Sequence, residues 1–122
     1  MPLQFTVRRL DGFTSIKVTG PASLPDFLRL IADIGGQTRA SGDKRVLVDL
    51  LAVAGELKFT DHFQMGQEVG QRLRHLERLA SVVPQDKITR TSEKVALTQG
   101  VQLRVFTSMN DAIQWVTQRP DS

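Results

Sequence analysis

The sequence predicts an α/β domain with a mixed sheet of four or five strands, opened by an antiparallel hairpin and continued by β–α crossovers, with about four helices. Three observations predict it. Two segments of alternating apolar residues meet at Asp11-Gly12. Short apolar runs then take turns with segments of helical period, and Gly, Pro or a capping residue marks nearly every junction. Strands alternating with helices require crossover connections and hence parallel pairing, to which the opening hairpin adds an antiparallel edge.

Leu3, Phe5 and Val7 alternate with polar neighbours, the period of a half-buried strand. Asp11-Gly12 is a favoured hairpin turn because Gly accepts positive φ, and the return strand runs from Phe13 to Thr19. After Gly20-Pro21, Ser23 stands as a helix N-cap with Asp26 three residues on. Leu24, Phe27, Leu28, Ile31 and Ile34 follow at helical spacing, and Gly35-Gly36 reads as the stop. Gln37 to Arg45 reads as a loop.

Val46 to Leu50 is a short apolar run of the kind a central strand shows when covered on both faces. Ala52 to Lys58 reads as a connection, and Thr60 as the N-cap of a helix reaching about Arg78. Phe59, Phe63, Gly66, Val69, Gly70, Leu73 and Leu76 trace the expected inner stripe, and Glu68 precedes Arg72 in the favoured order for an ion pair. Leu79 to Val83 is the next buried strand, closed by Pro84. Ser92 is expected to cap a short helix ended by Gly100, and Val101 to Phe106 to form a last strand. Ser108 with Asp111 resembles a capping box ahead of a final helix that ends before Pro120.

Composition narrows the function classes. The 122 residues are 40% apolar, enough for one ordinary core, and include no cysteine, which removes disulfides, thiol chemistry and cysteine-based zinc sites. The opening residues lack a basic segment followed by an apolar run, and no stretch is long enough to span a membrane, so a cytoplasmic protein without a membrane span is expected. Net charge is +3, from 16 basic and 13 acidic residues spread along the chain. Nucleic-acid binders concentrate positive charge and interleave aromatics, so no nucleic-acid partner is expected.

The strand Val46-Leu47-Val48-Asp49-Leu50, the segment Phe59-Thr60-Asp61 and the closing Arg104-Val105-Phe106-Thr107-Ser108 with Asp111-Ala112 resemble STAS domains, in particular the bacterial SpoIIAA-like, or STAS/SEC14-like, group. The resemblance covers nearly the whole chain and rests on the order and spacing of elements. It implies a small sheet with helices that acts through protein partners or a bound ligand. In anti-sigma-factor antagonists of this kind, a serine where a strand's loop enters the next helix is phosphorylated to switch partner binding. That pattern, Phe-x-Asp-Ser-Ser-Gly, aligns with Phe59-Thr60-Asp61-His62-Phe63-Gln64. The aspartate matches, but His62 stands where the serine would be, so the carry-over stops at Asp61. The SEC14-like side of the resemblance implies an apolar ligand and names no residue.

Thr60, Asp61 and His62 form the most chemically suggestive trio. A helix N-terminus offers unpaired N–H groups and partial positive charge to an anion, and histidine titrates near neutrality. The plainer reading is that Thr60 caps, Asp61 complements the helix dipole and His62 is solvated. Thr60 is the one hydroxyl there that a kinase could modify. Gly66 and Gly70 lie one helical turn apart, and each weakens a helix by about 1 kcal/mol relative to Ala. Close helix packing would compensate, as would a groove for an apolar ligand or a second copy of the chain. Arg72, Arg74, His75 and Arg78 suit the negative end of a helix.

No catalytic set, metal site or cofactor is expected. The two histidines are thirteen residues apart and no nucleophile elbow or phosphate loop occurs. Asp49 and Asp61 could meet at the strand ends, where ligands collect in open α/β sheets. The expected function is therefore a non-enzymatic regulatory module that meets a protein partner through Val53 to Phe63. The alternative is a carrier or sensor of a small apolar ligand, with Phe59, Phe63 and Met65 at its mouth and Gly66 and Gly70 making room. A homodimer suits either.

Overall fold

The computed structural model describes residues 3–87 and 90–118. In chain order these form β1 (Gln4–Leu10), β2 (Phe13–Pro21), α1 (Leu24–Ser41), β3 (Arg45–Ala54), α2 (Phe59–Arg72), β4 (Arg78–Val82), a 3-10 turn (Gln85–Lys87), α3 (Thr91–Thr98), β5 (Leu103–Phe106) and α4 (Met109–Thr117). The strands make one sheet in the order β1-β2-β3-β4-β5, with the first pair antiparallel and the rest parallel. The expected hairpin is there: Leu10 pairs with Phe13 across a turn in which Gly12 has φ 89°.

Because spatial order follows chain order, right-handed crossovers carry α1, α2 and α3 to one face of the sheet. Ile16, Val18, Val46, Val48, Leu79 and Leu103 meet the apolar stripes of those helices in the larger core layer. α4 covers the opposite face, where Ala112 and Val116 lie on Leu47, Ala80 and Val82. The small residues Ala80 and Ala112 let α4 sit close to β3 and β4. Its last carbonyls accept hydrogen bonds from strand arginines: Arg45 Nη1 donates to Val116 O at 3.0 Å, and Arg78 Nη1 donates to Trp115 O. Arg78 also lies 5.1 Å above the Trp115 ring, so it packs and caps at once.

Several boundaries differ from the sequence reading, each for a local reason. α1 does not stop at Gly35-Gly36 but continues through the segment read as a loop, and ends at Gly42, whose φ of 74° and N–H to Arg39 O and Thr38 O form the left-handed cap. Gly35 is kept inside the helix because a Cβ there would lie 2.7 Å from Arg72 O. β3 runs on to Ala54 through the segment read as a connection. Between the Lys17–Asp49 and Thr19–Ala52 pairs it carries one extra residue, and this bulge returns Val53 to the core side.

α2 begins at Phe59 with Lys58, not Thr60, as N-cap. It ends at Arg72, before the expected Arg78, because Glu77 N turns to Lys44 O at 2.7 Å and strand pairing takes over. Ser23 and Ser108 cap as expected, accepting from Asp26 N and Asp111 N, both at 3.3 Å. Arg90, not Ser92, caps α3, and β5 starts at Leu103 rather than Val101. Pro120 lies outside the described residues.

Candidate functional site: a cleft beneath the first turns of α2

α2 is fastened along one side. A Cβ on Gly66 would come within 2.8 Å of Val95 Cβ and 2.9 Å of Ser92 O, and one on Gly70 would collide with Gln99. The two glycines therefore serve close approach of α2 to α3, and their free volume is occupied by Val95 and Gln99. At its C-terminus α2 meets α1 at Gly35. The backbone of α2 meets those of α1 and α3, and Val69 and Leu73 join it to the core over the strands.

A cleft opens beneath the first turns of α2. An inner chamber of about 90 Å³ lies between the sheet and α1, α2 and α3, floored by Val48, Leu79, Ser81, Leu103 and Val105. It leads to an outer mouth of about 340 Å³ bordered by Val53, Gly55, Leu57, Phe59 and Pro84. Phe27, Leu50, His62, Met65, Val83 and Lys87 line both and so form the neck. The mouth is at the carboxyl ends of β3 and β4, where open α/β sheets collect ligands. Ser81 shows that the opening is real: it sits on a central strand under the helices, yet is partly exposed.

The residues singled out in the sequence divide three ways. His62 and Met65 face the cleft. Phe59 and Phe63 do not belong to a buried stripe as expected: they are 70% and 44% exposed and border an outer groove between α1 and α2, with Phe59 also touching the cleft mouth. Thr60 is exposed on that same groove. Asp61 is spent locally, its Oδ2 accepting from Lys58 N at 3.0 Å. Asp49 likewise accepts from Leu51 N at 3.0 Å. By strand alternation Asp49 shares the α4 face with Leu47, so it does not meet Asp61.

Burial holds the His62 imidazole below its ordinary value of 6.5, with the Asp61 carboxylate pulling partly the other way. The ring is thus neutral at neutral pH and makes no hydrogen bond to the described residues. The basic cluster is used structurally: Arg72 pairs with Glu68 at 2.8 Å, Arg74 donates to Gln99 O at 3.1 Å, and His75 meets Thr38. Ser81, Lys87 and Ser92 were not singled out in the sequence. One signal was available for Ser81, a lone hydroxyl inside an otherwise apolar strand.

A five-stranded mixed sheet with three helices on one face and a fourth on the other is the architecture of STAS-like domains. The chain belongs to the SpoIIAA-like family, whose model matches residues 13–117. No curated protein matches it in sequence. Among solved structures, an uncharacterised protein with a SpoIIAA-like fold from Shewanella loihica PV-4 superposes with a TM-score of 0.56 at 17% identity, over 94% of this chain and 93% of that one. An anti-sigma factor antagonist from Mycobacterium paratuberculosis superposes with a TM-score of 0.59 at 16% identity, over 93% of each chain. At such identities the likeness is one of fold.

No described helix is long and apolar enough to cross a membrane.

Proposed function

We propose that this chain is a non-enzymatic regulatory module that binds a protein partner through the start of α2. The observation that carries the reading is the pair Phe59 and Phe63, one turn apart and 70% and 44% exposed at the rim of the groove between α1 and α2. Large aromatics held in solvent at a helix start are costly to keep unless something covers them, and aromatics dominate binding hot spots. The antagonist of similar fold supports a regulatory class. Asp61 and Asp49, the two acids the sequence offered for the strand ends, are both occupied in backbone capping, which favours binding over acid–base chemistry. Without a serine at the family's switch position, Thr60 is the hydroxyl open to modification.

The test is quantitative affinity capture from the native host with wild-type bait, a Phe59→Ser/Phe63→Ser double variant and a Leu10→Ser control on the far edge of the sheet. Loss of one stoichiometric partner from the double variant alone supports the reading. Equal recovery by all three baits overturns it.

A second reading is favoured by a separate observation. The chamber under α2 is apolar, reaches solvent and is bordered by a few polar groups, the usual makeup of a small-molecule site. In this reading the module carries or senses a small, largely apolar ligand. Native mass spectrometry of gently purified protein would reveal such a ligand as an added mass released on denaturation.

A further inference from the structure

The polar groups of the cleft are arranged as a set. Parallel register aligns Val48, Ser81 and Val105 across three strands, with Leu79 and Leu103 one step deeper. The deep end is therefore hydrocarbon, and Ser81 marks the step at which the lining turns polar. Around that step stand His62 from α2, Ser92 from α3 and Lys87 from the 3-10 turn. The inner chamber has no carboxylate in its lining; Glu56 and Asp86 border only the outer mouth.

These groups are also available. Among the described residues, the side chains of Ser81, His62 and Ser92 make no hydrogen bond, and none has a fully buried polar atom left unpaired. Among the described residues Lys87 Nζ donates once, to Val53 O at 3.3 Å, so two of its three N–H groups have no described acceptor. Ser81 is partly exposed, so its hydroxyl is open to solvent at the neck, and a ligand that fills the neck must offer hydrogen-bonding atoms in place of that solvent. Size limits the rest. The chamber, at about 90 Å³, is smaller than the roughly 150 Å³ that admits a benzene, so it takes a short alkyl group and not a lipid tail.

We propose that the cleft binds a small amphipathic carboxylate, its short apolar group over Leu79 and Leu103 and its carboxylate at the neck among Ser81, His62 and Lys87. The proposal rests on the small-ligand reading above and adds the chemistry of the head group. An ammonium and a hydroxyl donate to the carboxylate directly. The neutral His62 ring contributes its N–H and closes the neck from above.

The experiment is a two-dimensional NMR titration of the whole chain with butanoate, butan-1-ol and butylamine, the last two sharing the chain but not the head. Butanoate should shift amides at Ser81, Val83 and Lys87 and bind about tenfold or more tighter than butan-1-ol, the usual worth of hydrogen bonds to a charged group. Lys87→Met should remove that preference, and Lys94→Met, on the exposed side of α3, should leave it intact. Equal binding of butanoate and butan-1-ol, or tighter binding of butylamine, overturns the head-group assignment and leaves the small-ligand reading standing. If none of the three shifts the cleft, the small-ligand reading falls with it.

Discussion

The Thr38 hydroxyl, near the end of α1, stands 2.7 Å from Nε2 of His75, in the turn after α2. Its own proton goes to Ile34 O at 2.8 Å, so Nε2 must be the donor and Nδ1 the bare nitrogen. Nδ1 is buried without a hydrogen-bond partner among the described residues. Charging His75 would thus place a proton where nothing accepts it.

A pH dependence follows. Desolvation, joined by Arg39 and Lys44 and opposed by Asp43, holds His75 below its ordinary value of 6.5. With the folded value the lower, the unfolded chain takes up the proton first as pH falls. The stabilisation is therefore complete above about pH 6.5 and is lost as pH drops from there through the folded value. Thermal denaturation between pH 5 and 8 should show the midpoint falling on the acid side, and His75→Gln should flatten that part of the curve. An unchanged slope in the variant would remove His75 from the account.

The glycines of the two long helices predict opposite responses to the same substitution. A Cβ on Gly36 meets nothing within 4 Å, so Gly36→Ala should stabilise by about 0.5–1 kcal/mol through helix propensity alone. Gly66→Ala gains the same propensity but forces its methyl against Val95 and the Ser92 carbonyl, and overpacking of that kind costs about 1–3 kcal/mol. Urea midpoints should move up for the first variant and down for the second. A Gly66→Ala protein as stable as wild type would mean that α3 yields freely and does not fix α2.

These glycines also show what the sequence could and could not disclose. Alternation and helical spacing located the strands and helices, and local caps such as Ser23 and Ser108 were readable because their partners lie three residues away. Gly35-Gly36 misled because the reason for Gly35 is Arg72 O, a neighbour supplied by tertiary packing. Phe59 and Phe63 misled similarly: they share a helical stripe with Gly66 and Gly70, but α3 packs on that stripe at the two glycines, and the two rings on the first turns stay exposed. Of the site, His62 and Met65 could be found from helical position. Lys87 and Ser92 reach the cleft from separate elements whose convergence no local pattern encodes.

Exposure of the aromatics carries its own prediction. Phe59 is 70% exposed, so Phe59→Ala removes little buried surface and should shift stability by no more than about 0.5 kcal/mol. Leu73→Ala, at 2% exposure in the main core, should cost about 2–5 kcal/mol. Comparable losses in the two urea titrations would show that Phe59 is folded into the core in solution, and would remove the exposed patch from the partner-binding reading.

Asp61 links the architecture of α2 to the chemistry at the neck of the cleft. Its carboxylate accepts from Lys58 N at 3.0 Å, and its charge raises the proton affinity of His62 against the larger effect of burial. The two roles separate by substitution. Asp61→Asn keeps an acceptor for the Lys58 N–H and removes the charge, so the helix start should survive while His62 titrates at a lower pH than in wild type. Asp61→Ala removes both, and should in addition destabilise by about 1 kcal/mol through loss of the cap. NMR titration of the His62 ring, read beside the urea midpoint of each variant, distinguishes the roles. If His62 titrates identically in wild type and Asp61→Asn, the Asp61 charge is screened by solvent before it reaches the ring, and burial alone sets the protonation of the group at the neck.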